Sequence, residues 1–205
     1  YIWFYFIKSF YYCIHMFAFK KKYFLIIESI KDINLRNLKK YNKFTIIYRN
    51  NKTRENFNQL LRFRKQCKLK LADFYVANDT KLAVSLNADG IYLSSYNTTL
   101  TSLHLRRKKF NIIGSAHNAN EISYKIRQGC VLVLVSKLFL VDYDKNSPSL
   151  GIIKFSKLKN TIFKKIIPLG GIKINNLNYL NHISCDGFAV MTGIKKKPTI
   201  SSRLF

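Results

Sequence analysis

Eight short apolar runs constrain this chain more than any other feature. They fall at 23–29 (YFLIIES), 44–49 (FTIIYR), 74–79 (FYVAND), 90–94 (GIYLS), 112–116 (IIGSA), 130–136 (CVLVLVS), 166–170 (IIPLG) and 187–192 (GFAVMT). Each is apolar almost throughout, which is how a strand buried on both faces reads. Between them lie polar stretches such as 53–68, 118–127 and 175–181, with apolar residues at helical spacing. This alternation predicts a parallel sheet joined by right-handed crossovers. Eight strand candidates favour an α/β fold of the compact (β/α)8 TIM-barrel type over an open doubly wound sheet. The first connection is short. The tail after Gly193 (IKKKPTISSRLF) leaves the final helix short or missing.

A chain of 205 residues, 48% hydrophobic and with 3 Pro and 8 Gly, suits one domain with its own core and excludes a linker or a disordered tail protein. Cys13, Cys67, Cys130 and Cys185 are too far apart for a C-x-x-C zinc pair and too few for a disulfide scaffold. They read as reduced thiols of a cytoplasmic protein. The net charge of +26 comes mostly from Lys, alongside abundant Asn, Ile, Phe and Tyr. All five residue types have codons built only of A and T, and the basic residues are spread over the whole chain. The charge thus predicts sticking to polyanions at low salt rather than a specific nucleic-acid partner.

Residues 1–19 (YIWFYFIKSFYYCIHMFAF) are apolar and aromatic and precede Lys20, Lys21 and Lys22. Lys8 and His15 interrupt this run, which is barely long enough to span a membrane and lacks a small-residue cleavage site. The preferred reading is a start at Met16, with membrane attachment only if residues 1–19 are real. The expected organisation is an apolar and basic extension at 1–22, a barrel at 23–195 and a short basic tail at 196–205.

A barrel places its active site at the C-terminal ends of the strands. Gly170 and Gly171 then follow the seventh strand, and Thr192 and Gly193 close the eighth. Loops at those positions often grip phosphate through backbone N–H groups, although such glycines can also serve only as turns. Asn78 and Asp79 end the third strand, where they could hold an anion or a hard cation, or cap a helix. Arg49 offers a fork-shaped phosphate donor. His117, just after Ser115, could shuttle a proton or cap the next helix. No P-loop, dinucleotide glycine fingerprint, H-E-x-x-H or Ser-His-Asp order is present.

Together these segments resemble the thiamine-phosphate synthase/TenI family over about residues 23–194. The sequence FYVANDTKLAVSLNADGIYLS resembles the family's Asn-Asp strand end, helix and A-D-G-[IV]-H-[IL] run. IIGSAHNANEI resembles its S-x-H strand end, and VLVSKLF followed by SLGIIKF its S/G-P-[VI]-[FY] loop and L-G helix start. PLGGI and CDGFAVMTGI resemble its last two strands. The resemblance implies a barrel that joins hydroxymethylpyrimidine diphosphate to thiazole phosphate and releases pyrophosphate, with Mg²⁺ as cofactor. Phosphorylated thiamine precursors are then its ligands.

Carried over by position, the family's Q-x-R-x-K becomes Ile47, Tyr48, Arg49, Asn50 and Asn51, with Lys52 next. Asn78 takes a pyrophosphate position, Asp79 a metal position, Asn97 a weakened second metal position and Ser115 the serine of the motif. The phosphate loop P-T-x-[TS]-K reads Leu140, Val141, Asp142, Tyr143 and Asp144, then Lys145, so two acids replace its hydroxyls. Gly170, Gly171, Thr192 and Gly193 retain the glycine grip. In the TenI branch, His117 takes the position of the proton-shuttling residue of a thiazole tautomerase. A barrel that binds without turnover is the third reading.

Overall fold

The computed structural model of the chain describes residues 22–38, 42–50, 55–100, 104, 110–141, 144, 146, 148–162 and 165–191. The expected Met16 start, Lys52, Asn51, Asp142, Tyr143, Lys145, Thr192 and Gly193 lie outside the described residues, as does any helix after the last strand. Eight strands form the expected barrel: β1 (Lys22–Ile27), β2 (Phe44–Tyr48), β3 (Asp73–Ala77), β4 (Gly90–Leu93), β5 (Asn111–Ala116), β6 (Leu132–Ser136), β7 (Lys165–Leu169) and β8 (Gly187–Met191). All neighbours run parallel. Closure comes from β1 pairing with β8, with Tyr23 opposite Phe188 and Leu25 opposite Val190.

Among the described residues, four α-helices wrap the outside: α1 (Phe57–Leu69), α2 (Thr80–Ser85), α3 (Ala119–Arg127) and α4 (Gly151–Thr161). Three begin on a side-chain cap. Asn56, Asp79 and Asn118 accept from the backbone N–H of Asn58, Leu82 and Glu121, each at 2.9 Å. Two short 3₁₀ turns, Ile30–Asp32 and Leu35–Asn37, connect β1 to β2. The stretch expected to be helical at 175–181 winds as 3₁₀ over Ile174–His182. It is rich in Asn, and Asn side chains compete for backbone partners. Asn176 accepts from Lys173 N at 2.8 Å and donates to Gly171 O at 2.8 Å.

The core has two shells, as strands buried on both faces require. Phe24, Ile26, Ile47, Tyr75, Tyr92, Ile113, Leu134, Ile167 and Ala189 fill the barrel interior. Ile46, Phe74, Val133, Phe155 and Ile166 belong to the shell between strands and helices. Cys67 and Cys130 lie in that outer shell, and burial pushes both thiols up to about 12. The Asp of A-D-G is structural. Asp89 pairs with Arg64 of α1 at 2.8 Å and accepts from Phe74 N at 2.7 Å, tying α1 to the start of β3. Among the described residues, no helix is long and apolar enough to cross a membrane.

Closure sets a tight steric condition where β8 meets β1. A Cβ on Gly187 would lie 1.8 Å from Lys22 O. Gly187→Ala is therefore expected to destabilise the barrel by about 1–3 kcal/mol, the usual range for overpacking. Urea unfolding checks this: a lower midpoint with an unchanged m-value is the expected outcome.

Candidate active site at the C-terminal mouth

Side chains alternate along each strand, so the residues two beyond the lumen-filling ones form the floor of the mouth. Arg49 follows Ile47 in this way, and Ser115 follows Ile113. The Tyr92 hydroxyl bonds to Ser115 and feels the charge of Arg49. Burial raises the Tyr92 pKa above its ordinary value, and the Ser115 bond and Arg49 only partly oppose that. Tyr92 is a neutral phenol that can donate or accept a hydrogen bond. Arg49 Nε is buried without a hydrogen-bond partner. An orphaned guanidinium N–H is costly unless a ligand uses it. Its backbone is firmly placed, since Arg49 N donates to Ile27 O at 2.8 Å.

Beside this floor, Asn78 adopts a left-handed backbone with φ of 58°, a conformation that Asn tolerates better than most residues. Its Oδ1 accepts from Ser94 N at 3.0 Å and from Asn97 Nδ2 at 3.1 Å. Its Nδ2 donates to the Ser94 hydroxyl and, at 3.0 Å, to the Tyr96 hydroxyl. Asn78 therefore clamps the end of β3 to the loop after β4. On the β1–β2 side, Tyr48 and the Ser29 hydroxyl both donate to Glu55, Ser29 at 2.6 Å. Burial and the Glu55 bond push Tyr48 up to about 12.

The metal expectation meets a difficulty in the donor set. Asp79 Oδ1 caps α2 by accepting from Leu82 N. Asn97 Oδ1 accepts from Thr99 N at 3.0 Å and from Thr99 Oγ1 at 2.9 Å. That backbone N–H fixes the orientation of the amide, so Asn97 turns Nδ2 towards Asn78. The carboxamide oxygens at this rim are thus occupied by N–H and O–H donors, and Asn97 does not fit a second metal ligand. Among the described residues, no three His, Cys, Asp or Glu side chains come together. One capping carboxylate is a poor match for an ion that demands several oxygens in octahedral array.

His117 sits at the entry to α3, with its side chain 56% exposed. Its backbone N–H donates to Glu121 Oε2 at 2.9 Å, and its Nδ1 lies 3.0 Å from the same oxygen. This is the capping arrangement, and it leaves Nε2 directed elsewhere.

Asp144 does not stand as a bare repulsive acid: Lys137 Nζ lies 2.6 Å from its carboxylate and 2.8 Å from its carbonyl. Gly170 and Gly171 have positive φ of 92° and 69°. A Cβ on Gly171 would lie 2.4 Å from Phe139 O, and one on Gly170 would lie 3.0 Å from Lys137 Cβ. These glycines therefore let the loop after β6 settle against the start of the loop after β7, a steric role in addition to any grip on phosphate.

Arg49, Asn78 and Ser115 stand at the C-terminal ends of β2, β3 and β5, while His117 stands on the rim. Sequence reasoning missed Tyr92, Lys125, Gln128 and Lys137. Tyr92 had a legible signal, since it stands where A-D-G-[IV]-H-[IL] has His. Lys125 also had one, because it interrupts the apolar stripe of α3 one turn after Ile122. Lys137 had none, because its partner is set by the path of the loop.

Fold and mouth together define a (β/α)8 barrel with a basic, hydroxyl-lined site at the C-terminal ends of its strands. The chain belongs to the thiamine monophosphate synthase family, whose model matches residues 32–194. It is 29% identical over 159 residues to a thiamine-phosphate synthase of Prochlorococcus marinus strain AS9601, covering 76% of this chain and 44% of that protein. A Bacillus cereus thiamine-phosphate synthase is 30% identical over 145 residues, covering 65% of this chain and 64% of that one. The chain thus spans less than two thirds of the length of these relatives. A thiamine phosphate pyrophosphorylase from Pyrococcus furiosus superposes with a TM-score of 0.71 at 16% identity, covering 89% of this chain and 91% of that chain; this likeness speaks to the fold alone.

The Lys137–Asp144 pair makes a direct expectation. Asp144→Asn frees the ammonium, and inorganic phosphate is expected to bind more tightly by up to about fivefold, since partly exposed pairs are worth about 1 kcal/mol at most. Isothermal titration checks this, and unchanged affinity would place Lys137 outside the anion's reach.

Proposed function

We propose that this chain acts in thiamine biosynthesis as a thiamine-phosphate synthase, joining hydroxymethylpyrimidine diphosphate to thiazole phosphate. The observation that carries the reading is the buried, unpartnered Arg49 Nε, whose charge is felt by the Tyr92 hydroxyl that bonds to Ser115. In a barrel of this family, a guanidinium with its Nε–H unsatisfied at the strand ends suits an anionic ligand. The barrel unit is 23–195, and its setting is the cytoplasm.

The chemistry asks little of the protein beyond positioning and charge. The bond from the pyrimidine methylene to the diphosphate oxygen breaks, and its electron pair leaves with pyrophosphate. The thiazole nitrogen lone pair then forms the new C–N bond, giving the thiazolium of thiamine phosphate. Arg49 offsets charge developing on the leaving oxygens, an electrostatic contribution that grows in a partly desolvated site. Tyr92 and Ser115 supply hydroxyls at the same floor. Lys52, Thr192 and Gly193 complete the phosphate contacts in this proposal. The carboxamide oxygens at the Asn78–Asn97 rim are already committed to N–H and O–H donors, so the charge on the leaving pyrophosphate is met by Arg49.

One observation favours a second reading. Glu121 holds His117 by Nδ1, so Nε2 is the atom that would move a proton in a thiazole tautomerase.

The test supplies both precursors and follows thiamine phosphate and pyrophosphate, with Mg²⁺ present or chelated. Product is expected, and Arg49→Met is expected to lower kcat/KM by about a hundredfold, as loss of one charge-stabilising donor does. A folded chain that makes no product overturns the synthase reading. Turnover of thiazole carboxylate phosphate that is lost in His117→Ala would replace it with the tautomerase.

A further inference from the structure

Lys125 lies on α3 and is 1% exposed. Lysine is almost never buried to this degree without a partner of opposite charge. Here Nζ donates to Ser94 O at 2.7 Å, Asn97 O at 2.6 Å and Gln128 Oε1 at 2.9 Å. An ammonium has three N–H groups, so all three are used, and all on uncharged acceptors. Gln128 is fully buried and donates from Nε2 to Asn97 O at 3.0 Å and to Thr99 O at 2.7 Å. The two side chains therefore hold one piece of chain, the loop after β4 at 94–99.

The barrel makes room for this arrangement. A Cβ on Gly114 of β5 would lie 3.0 Å from Lys125 Cδ and 3.2 Å from its Cγ. Burial lowers the Lys125 pKa, so the charge is held against a desolvation penalty. Buried ionic groups of this kind are often replaced by apolar ones of similar volume with no loss of stability. Simple packing thus gives no reason for the pair.

The opposite side of the same loop supplies one. Lys125 takes the carbonyl oxygens of Ser94 and Asn97. The backbone N–H of Ser94 and the side-chain amide of Asn97 both point to Asn78 Oδ1. The loop is thus held between a buried cation on one side and the rim asparagine on the other. We propose that Lys125 and Gln128 are positioning residues, which fix the loop after β4 so that Ser94 and Asn97 hold Asn78 in place at the phosphate-binding mouth. The part of this that concerns phosphate rests on the function proposed above. The part that concerns the loop stands on the hydrogen bonds alone.

The test compares wild type with Lys125→Met and with Lys125→Met/Gln128→Leu. The single variant strands Gln128, so the double variant, which replaces both polar groups with apolar ones of similar size, guards against loss of folding. Three quantities are read: thermal midpoint, amide hydrogen exchange and affinity for inorganic pyrophosphate by titration. The double variant is expected to stay folded with a midpoint lowered by several degrees, because the carbonyls of Ser94, Asn97 and Thr99 lose their donors. Amides at 94–100 are expected to exchange at least about tenfold faster, with β1 and β2 unchanged. Pyrophosphate affinity is expected to fall about tenfold, the size of one lost hydrogen-bonding arrangement. A folded double variant with wild-type exchange at 94–100 overturns the positioning role, and so does one with faster exchange but undiminished pyrophosphate affinity. Wild-type protein that binds no pyrophosphate overturns the phosphate reading instead, and loop exchange alone then decides the role of Lys125.

Discussion

Pairing of β1 with both β2 and β8 is the constraint on which the rest of the molecule depends. Closing the sheet removes its edges, so every strand has a hydrogen-bonded neighbour on both sides. It also buries both faces, one in the lumen and one under the helices. Strands in this setting have to be apolar throughout, and glycine stands where a neighbour's backbone comes closest. Gly187 against Lys22 and Gly90 against Asn111 mark two such places. Because closure fixes all strand ends relative to one another, residues far apart in the chain share the mouth.

The polar groups at the two ends of the barrel do different work. At the N-terminal end, Lys22–Asp73, Arg64–Asp89 and Lys165–Asp186 tie strand starts to neighbouring elements. At the C-terminal end, hydrogen bonds hold loops instead: Glu55 takes donors from Ser29 and Tyr48, and Asn78 takes donors from Ser94 and Asn97. Against that satisfied background, Arg49 Nε stands out. The same logic makes Lys125 informative, because a buried cation with only neutral acceptors serves the geometry of a loop better than it serves stability.

Much of the candidate site was legible residue by residue, since strand ends in a barrel converge whatever their sequence spacing. Arg49, Asn78 and Ser115 were placed at strand ends in this way. Local bonding was legible only in part, with the helix cap at Asp79 among the readings its residue type allowed. Asp79 is a helix cap because α2 begins directly after β3. Asn97 turns its amide to Asn78 because Thr99 N takes its oxygen. Asp144, one of the two acids in place of the phosphate loop's hydroxyls, is partnered by Lys137 because the loop after β6 folds back. The Asn97–Asn78 and Lys137–Asp144 contacts depend on how the loops fold back, which the residues on either side do not fix.

What the sequence by itself determined is the barrel: eight apolar runs of strand length, separated by segments able to cross back, leave one compact way to bury both faces. It also determined which residue types stand at the strand ends. The tertiary structure alone decided how those residues are used. Hydrogen bonds and buried charges depend on distances of a few ångströms between distant parts of the chain, whereas apolar periodicity is a local property. A lysine in the stripe of α3 therefore reads as an anomaly in the sequence, and becomes the anchor of the loop after β4 only once the barrel has brought the two together.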